Sequence, residues 1–430
     1  MLLQYEGQIR DEVHDYIPYT PLERRIMDTL LVQRLRRILQ TPTAQFVYPS
    51  ATHTRFAHSL GTMHLAGKFA EILLLKEHFP EALPLKLRSR ECRNIVIKTL
   101  EECAREVQLV RLAGLLHDVG HSPFSHTLEP IIEENIGKNH EQIGIELIKT
   151  NEELEHILED ENINPFQIRV RDITDVLEGR RGILSEILLG TINADTMDYL
   201  ARDAHNTGAV EYGAIDIHRL MDASLIWDNE VLPDHSAVRA VLRYGEAIYH
   251  MFLAVYYHRA VRAMDLIIQE MARLALSTIK EQDNTPLRAL LSFDAQTYLE
   301  LDDYTFISEV RRLSTRCDRL RKFLKMYEQR ELLTCVDERQ FIGDEAHELT
   351  SEHYIRDSLI PRLSQLSGVP QEDIFVDTPH AVRIKTSPVY LRFQDIRIFD
   401  RREKTIKALS DFVKSHAEAL SEPLYMRRVF

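Results

Sequence analysis

The chain has 430 residues, enough for two or three domains sharing a large core. It is 44% apolar and 28% charged, and 53 Lys and Arg against 67 Asp and Glu leave a formal charge of −14. That balance argues against broad, charge-driven nucleic-acid binding, yet leaves room for a local basic pocket that takes a small phosphorylated molecule. Cys92, Cys103, Cys317 and Cys335 form no CxxC pair, so neither a zinc ribbon nor a disulfide framework is indicated, and reduced thiols are expected. The N-terminus is charged too early for a secretory signal, and no run approaches the roughly 20 apolar residues that span a bilayer. A cytoplasmic protein is the expectation.

In chain order, Pro21 opens LERRIMDTLLVQRLRRILQ, which reads as one helix ending near Pro42. Met63, Ala66, Ala70, Leu73 and Leu74 repeat at helical spacing. Residues 80–105 read as a variable excursion. Leu109, Leu112, Ala113 and Leu116 then form an apolar stripe that leads into His117. Residues 191–204 predict a helix with Asn193 as a candidate cap. A single long helix is expected over about 241–280, with Ile248, Met251, Phe252 and Val255 on one stripe. In the tail, Val389, Leu391 and Phe393 alternate, as do Ile396 and Ile398, which predicts a β-hairpin. Strands are also expected at Ile374–Val376 and Leu424–Phe430. The fold expected is mainly α, a helical bundle with a smaller C-terminal α+β region. Its divisions are an N-terminal helical segment over 1–50, a core over 51–210, a helical extension over 211–300 and the α+β region over 301–430.

Histidine is the unusual residue. There are 19, and His53, His58, His64, His117, His121, His126 and His140 crowd into less than a quarter of the chain. Residues 117–121 read His-Asp-Val-Gly-His. On a helix His117 and His121 would share a face, and near a helix end Asp118 could turn toward an ion held by His117. Imidazole nitrogen beside carboxylate oxygen suits Mn, Fe, Ni, Zn or Mg. Asp195, Tyr199 and Arg202/Asp203 fall at offsets 0, 4, 7 and 8, one helix face. His126 precedes Glu129 by three residues, so a helical turn there lets the carboxylate fix the imidazole's tautomer and raise its basicity. Each pattern alone also fits a solvated helix face or a buried structural histidine.

Together these segments resemble the HD-domain deoxynucleoside triphosphate triphosphohydrolases. The resemblance runs through DTLLVQRLRRILQ (28–40), YPSATHTRFAHSLGTMHLAG (48–67), LAGLLHDVGHSPFSHTLE (112–129), NHEQIG (139–144) and DTMDYLARDAHNTG (195–208), and weakly through YYHRAV (256–261). It implies His58, His117, Asp118 and Asp195 as ligands of a divalent metal, with Arg55 on substrate phosphate. It implies His126 as general acid backed by Glu129, with His121 and His140 supporting the transition state. Gln40, Tyr199 and Asp203 are implied as substrate contacts, the last two at a sugar. A packed tyrosine and an Asp203–Arg202 pair remain the alternative. Asp28, Gln33 and Arg36 match an effector-nucleotide site at an oligomer interface, so a homo-oligomer is implied.

The match departs at the phosphate end. Thr196 stands where the family carries a phosphate-gripping lysine, Ala254 falls near a phosphate-binding arginine, and Arg262 replaces a tyrosine. Arg262 could compensate, because a guanidinium binds phosphate oxygens bidentately. The expected activity is hydrolysis of a dNTP to deoxynucleoside and triphosphate. The alternatives are a phosphomonoesterase or phosphodiesterase on another nucleotide, and a nucleotide-binding regulator with a residual metal site.

Overall fold

The computed structural model describes residues 2–78, 90–342, 349–378, 396–412 and 424–430. The described residues are mainly helical, with short antiparallel sheets at the N-terminus and in the C-terminal half. The centre of the body is a pair of long helices, Arg55–His78 and Arg90–Leu116, crossed by Ala194–Thr207. Sixteen residues on Arg55–His78 are buried, polar His58, Ser59, Thr62 and His64 among them, so this helix runs inside the body rather than along its surface. It starts at Arg55, about two turns before the apolar repeat that begins at Met63.

Two elements break where one continuous helix was expected. The N-terminal segment forms Pro21–Met27, then Leu30–Gln33, then a 3-10 turn Arg34–Arg37. The first piece has a full capping box between Thr20 and Glu23. It ends where the Thr29 hydroxyl and amide both turn back to the Ile26 carbonyl, the local competition that threonine offers a helix. The second break divides the predicted 241–280 helix into Val238–Met251, a π-helical turn Phe252–Tyr256, and Arg259–Thr278. His258 starts the last piece as its N-cap, its ring nitrogen accepting from the Ala260 amide. The 80–105 excursion is also revised, because residues from Arg90 onward already belong to a helix.

The N-terminal hairpin pairs Gly7–Asp11 with Asp15–Tyr19, and it precedes Glu23, a fully buried carboxylate gripped by Arg111 and Gln108. In the C-terminal half, Leu424–Val429 is the central strand between Asp337–Ile342 and Val376–Asp377, antiparallel to both. Ile398 lies in a hairpin, but the strand Arg397–Asp400 pairs forward with Thr405–Ala408. The expected partner at Val389–Phe393 lies outside the described residues. Arg428 reaches the Tyr257 carbonyl and Glu338, tying this sheet to the helix break at 257.

One glycine is imposed by close approach. A Cβ on Gly120 would lie 2.0 Å from the His140 carbonyl oxygen and 2.3 Å from the Gly144 nitrogen, where the helix His140–Thr150 packs on the 117–121 turn. Gly120→Ala must therefore move backbone, and chemical denaturation is expected to show a loss of about 1–3 kcal/mol. His64 supplies a second prediction. Burial, then Lys68, His14 and Arg111, press its pKa down to about 2, and both ring nitrogens are buried with no hydrogen-bond partner among the described residues. The unfolded chain binds this proton below about pH 6.5, while the folded protein does not. Stability from neutral His64 is thus present above that pH and lost as pH falls. Denaturation midpoints between pH 6 and 4 are expected to drop more steeply for the native chain than for His64→Leu, by up to about 1.4 kcal/mol per pH unit.

Candidate metal centre

The helix that leads into His117 stops at Leu116, so residues 117–120 form a turn and His117 and His121 are not rungs of one helix. The turn places Asp118 between three imidazoles. Its Oδ1 lies 3.2 Å from His117 Nε2 and 3.4 Å from His121 Nε2, and its Oδ2 lies 3.7 Å from His58 Nε2. Asp195 enters from the first turn of Ala194–Thr207, where Asn193 caps the helix through the Thr196 amide. Asp195 Oδ1 lies 2.9 Å from His58 Nε2 and 3.7 Å from His117 Nε2. His58, His117, Asp118 and Asp195 therefore converge from three separate elements. Donor atoms of His58, His117 and Asp195 all lie within 4.8 Å of one another.

The outer contacts of the two histidines decide which nitrogen faces the centre. His117 Nδ1 lies 2.8 Å from the Gly114 carbonyl and so donates there, leaving the Nε2 lone pair turned toward the Asp118 and Asp195 carboxylates with no hydrogen-bond donor among the described residues. His58 Nδ1 lies 2.8 Å from Asp198 Oδ2, which likewise turns Nε2 inward. This carbonyl-or-carboxylate backing is the arrangement that orients metal-bound imidazoles. Burial opposes protonation of His58, but hydrogen bonds to Asp195 and Asp198 outweigh it and lift its pKa to about 10. Two inward-facing imidazole nitrogens with two carboxylates form a donor set that fits a divalent metal ion.

Asp198 was not singled out from the sequence, yet it links His58 to three groups outside the ligand set. It is fully buried, with His14 Nε2 2.6 Å from Oδ1 and Arg202 donating to both oxygens at 2.9 Å. Arg202 in turn meets Asp11 of the N-terminal hairpin at 3.0 Å. Asp198 needs Gly61 beside it, since a Cβ there would sit 1.8 Å from its Oδ1. Spacing did contain a trace of this contact: Asp198 and Arg202 are four apart, the reach of a helical ion pair.

A second histidine group lies alongside. His126 Nδ1 lies 2.7 Å from Glu129 Oε2, and His140 Nδ1 bonds the other oxygen, Oε1. Burial would raise the Glu129 pKa, but these two histidines hold it well below the usual carboxylate range. His121 and His140 stack with centroids 3.9 Å apart at 13°, and His126 stands edge-on to both. Although His121, His126 and His140 bring nitrogens together, parallel imidazoles send their in-plane lone pairs side by side. The ligand nitrogens of the three lie within 4.8 Å of one another, but stacking aims those of His121 and His140 alongside rather than at one point. This group fits proton handling better than metal binding. The His126 side chain is 53% exposed, open to a bound molecule.

Arg55 joins the two groups, donating to Asp118 Oδ2 at 2.7 Å and to Ser125 Oγ at 2.9 Å. Asp203 is buried, with His53 Nε2 and the Tyr256 hydroxyl each 2.6 Å from one oxygen. The sequence reading gave neither partner a role, and Asp203 does not pair with Arg202, whose bonds go to Asp198 and Asp11. Burial, reinforced by Tyr244 and Asp195, pushes the Tyr199 pKa well up. Gln40 is buried with an unpartnered Oε1. Arg262 is a correction. Its guanidinium donates to Asp377 through Nε and Nη2 and to Asp265 through Nη1, so its charge is committed to carboxylates rather than free for phosphate. At the expected effector position, Arg36 donates to Gln33 Oε1 and lies over the Phe56 ring, while Asp28 is exposed.

The family model for the HD domain matches residues 55–202, and that for the HD-associated region matches 215–418. The chain belongs to the HD-domain family. An uncharacterized protein of Methanocaldococcus jannaschii is 29% identical over 97% of this chain and 84% of its own length. A Dictyostelium discoideum protein described as a deoxynucleoside triphosphate triphosphohydrolase SAMHD1 homolog is 26% identical over 86% of this chain and 66% of its own. The crystal structure of a hypothetical protein from Aquifex aeolicus superposes with a TM-score of 0.70 at 25% identity, covering 98% of this chain and 96% of that one. As an HD-domain protein the chain sits within a phosphohydrolase superfamily.

Backing contacts to HD ligands should carry affinity. Asp198→Asn keeps shape but removes the anionic acceptor behind His58, and a fluorescence-competition titration with Mn²⁺ is expected to show binding weakened about 10–100-fold. Unchanged affinity in a folded variant would remove Asp198 from the centre.

Proposed function

We propose that this HD-domain protein hydrolyses a nucleotide phosphate ester, in its most specific form a dNTP to deoxynucleoside and triphosphate. One observation carries the reading: the four candidate ligands meet next to a carboxylate-backed histidine, with an arginine between them. His58, His117, Asp118 and Asp195 would hold the ion, of which Mn, Mg, Fe, Ni and Zn all suit the donor set. When bound, the ion supplies an acidified water and a Lewis acid for the phosphoryl oxygen.

The chain's own residues supply the rest. Arg55, held by Asp118 and Ser125, points a fixed guanidinium at the phosphate that would lie over the ligands. Glu129 accepts hydrogen bonds from Nδ1 of His126 and of His140 and so fixes both rings, with Nε2 turned away from it. His126 Nε2 is then the donor to the departing oxygen, the step that an alkoxide leaving group requires. His121 and His140 flank it and support the developing charge. Gln40, Tyr199 and Asp203 contact the sugar side, where His53 and Tyr256 hold the Asp203 carboxylate in place.

The phosphate end favours keeping a second reading. Thr196 offers no charge, and Arg262 is occupied by Asp265 and Asp377. A pocket with less fixed positive charge suits a monoester or diester better than a triphosphate. Regulation by an effector nucleotide at Asp28, Gln33 and Arg36, in a homo-oligomer, belongs to the same proposal.

The test is product identification with Mn²⁺ and a panel of dNTPs, NTPs and monophosphates. Free triphosphate supports the first reading, and inorganic phosphate from a monophosphate supports the second. Nucleotide binding with no turnover under any metal points to a regulator and sinks both. On the active substrate, His126→Ala is expected to lower kcat about 10²–10⁴-fold with metal stoichiometry retained.

A further inference from the structure

We propose that Asp303, from the HD-associated region, is a positioning residue that fastens the loop carrying Ser125 and His126 to the segment carrying Leu39 and Gln40. The inference rests on the functional reading only for its effect on turnover. The loop needs fastening. Phe124 (φ 57°) and Ser125 (φ 49°) are both left-handed without being glycine, a conformation that side chains disfavour. Asp303 Oδ1 accepts from the Phe124 amide at 2.7 Å, and Oδ2 accepts from the Leu39 amide at 3.0 Å. One carboxylate thus joins two segments more than eighty residues apart.

The joined segments close a circuit that ends at the metal ligands. The Ser125 hydroxyl donates to the Leu39 carbonyl at 2.7 Å and accepts from Arg55 Nε, whose Nη1 reaches Asp118. The next residue is His126. Around the junction, the Phe124 ring packs edge-on to Phe306, and Tyr298 donates to the Gly120 carbonyl. Segment 298–306 therefore grips the HD loop at Gly120 and at Phe124.

The chemistry at Asp303 is specific to this task. The carboxylate is buried, yet the nearby cations go elsewhere: Arg37 to Asp302, and Arg34 to the Leu301 and Val119 carbonyls. Burial raises its pKa to about 7 against the pull of the two amides. Retaining a buried carboxylate with amide donors as its described partners is costly for packing alone, and an apolar side chain would fill the space more cheaply.

Asp303→Asn replaces one acceptor oxygen with an NH2 that must face an amide donor. Two measurements decide the proposal: hydrogen exchange of the full-length protein by mass spectrometry, and steady-state kinetics on whichever substrate the panel identifies. Expected are a folded variant with native Mn²⁺ stoichiometry and exchange at least tenfold faster, confined to peptides covering 38–41 and 122–127. A tenfold or greater fall in kcat with KM within about twofold should accompany it. Native protection in both peptides overturns the proposal, as does faster exchange with unchanged kcat, or a kcat loss that follows metal loss. If Asp303→Asn does not fold, Ser125→Ala cuts the same circuit at its other end and should loosen the same two peptides. An inactive wild type removes the functional reading alone. The exchange result then decides: lost protection upholds the fastening role, and native protection overturns it.

Discussion

Asp198 lies fully buried against Gly61, with His14, His58 and Arg202 around its two oxygens. A carboxylate in that position is tolerable only because each oxygen is bonded to an imidazole and a guanidinium. The consequence reaches outward in two directions. Inward, it fixes the tautomer of His58 and so decides that Nε2 faces Asp195. Outward, it recruits Arg202 and Asp11, which dock the N-terminal hairpin onto the helix Ala194–Thr207. The candidate metal centre and the N-terminal hairpin are thus held by one buried charge network.

A similar economy governs the far side of the site. The HD-associated region does not merely follow the HD domain; it reaches back to it. Tyr298 and Asp303 hold the chain on either side of His121, at Gly120 and Phe124, and Asp265 accepts from the Thr127 hydroxyl while pairing with Arg262. Arg262 also binds Asp377 of the C-terminal sheet, so the sheet, the helix Arg259–Thr278 and the loop carrying His126 and Thr127 share a chain of polar contacts. The expected phosphate role of Arg262 gave way because two carboxylates distant in sequence already satisfy its fixed fork of donors.

Much of the site was legible in the sequence. His58, the His117-Asp118 pair and Asp195 stood in segments with a recognisable order, and His126–Glu129 had the spacing for a local hydrogen bond. Partners distant in sequence were not legible. Nothing in the pattern around His14, His53, Tyr256 or Asp303 says which buried carboxylate or amide each will meet, because no periodicity links residues from 53 to 264 positions apart. Helix continuity failed for a different reason. At Thr29 and His258 a single side chain competes for backbone groups, and an apolar stripe runs through such a break unchanged.

The sequence by itself determined the helical body, the segments that carry the candidate ligands and the donor chemistry of each, since these follow from local periodicity and from residue identity. Tertiary structure alone decided where those ligands point and what remains free to act. His117 aims Nε2 inward because the Gly114 carbonyl takes Nδ1, the stacked His121 and His140 are poorly placed to share an ion, and Arg262 is spent on Asp265 and Asp377. The reason is physical: a buried polar group must be satisfied by whatever the fold brings to it, and that partner is set by packing rather than by neighbours in the chain.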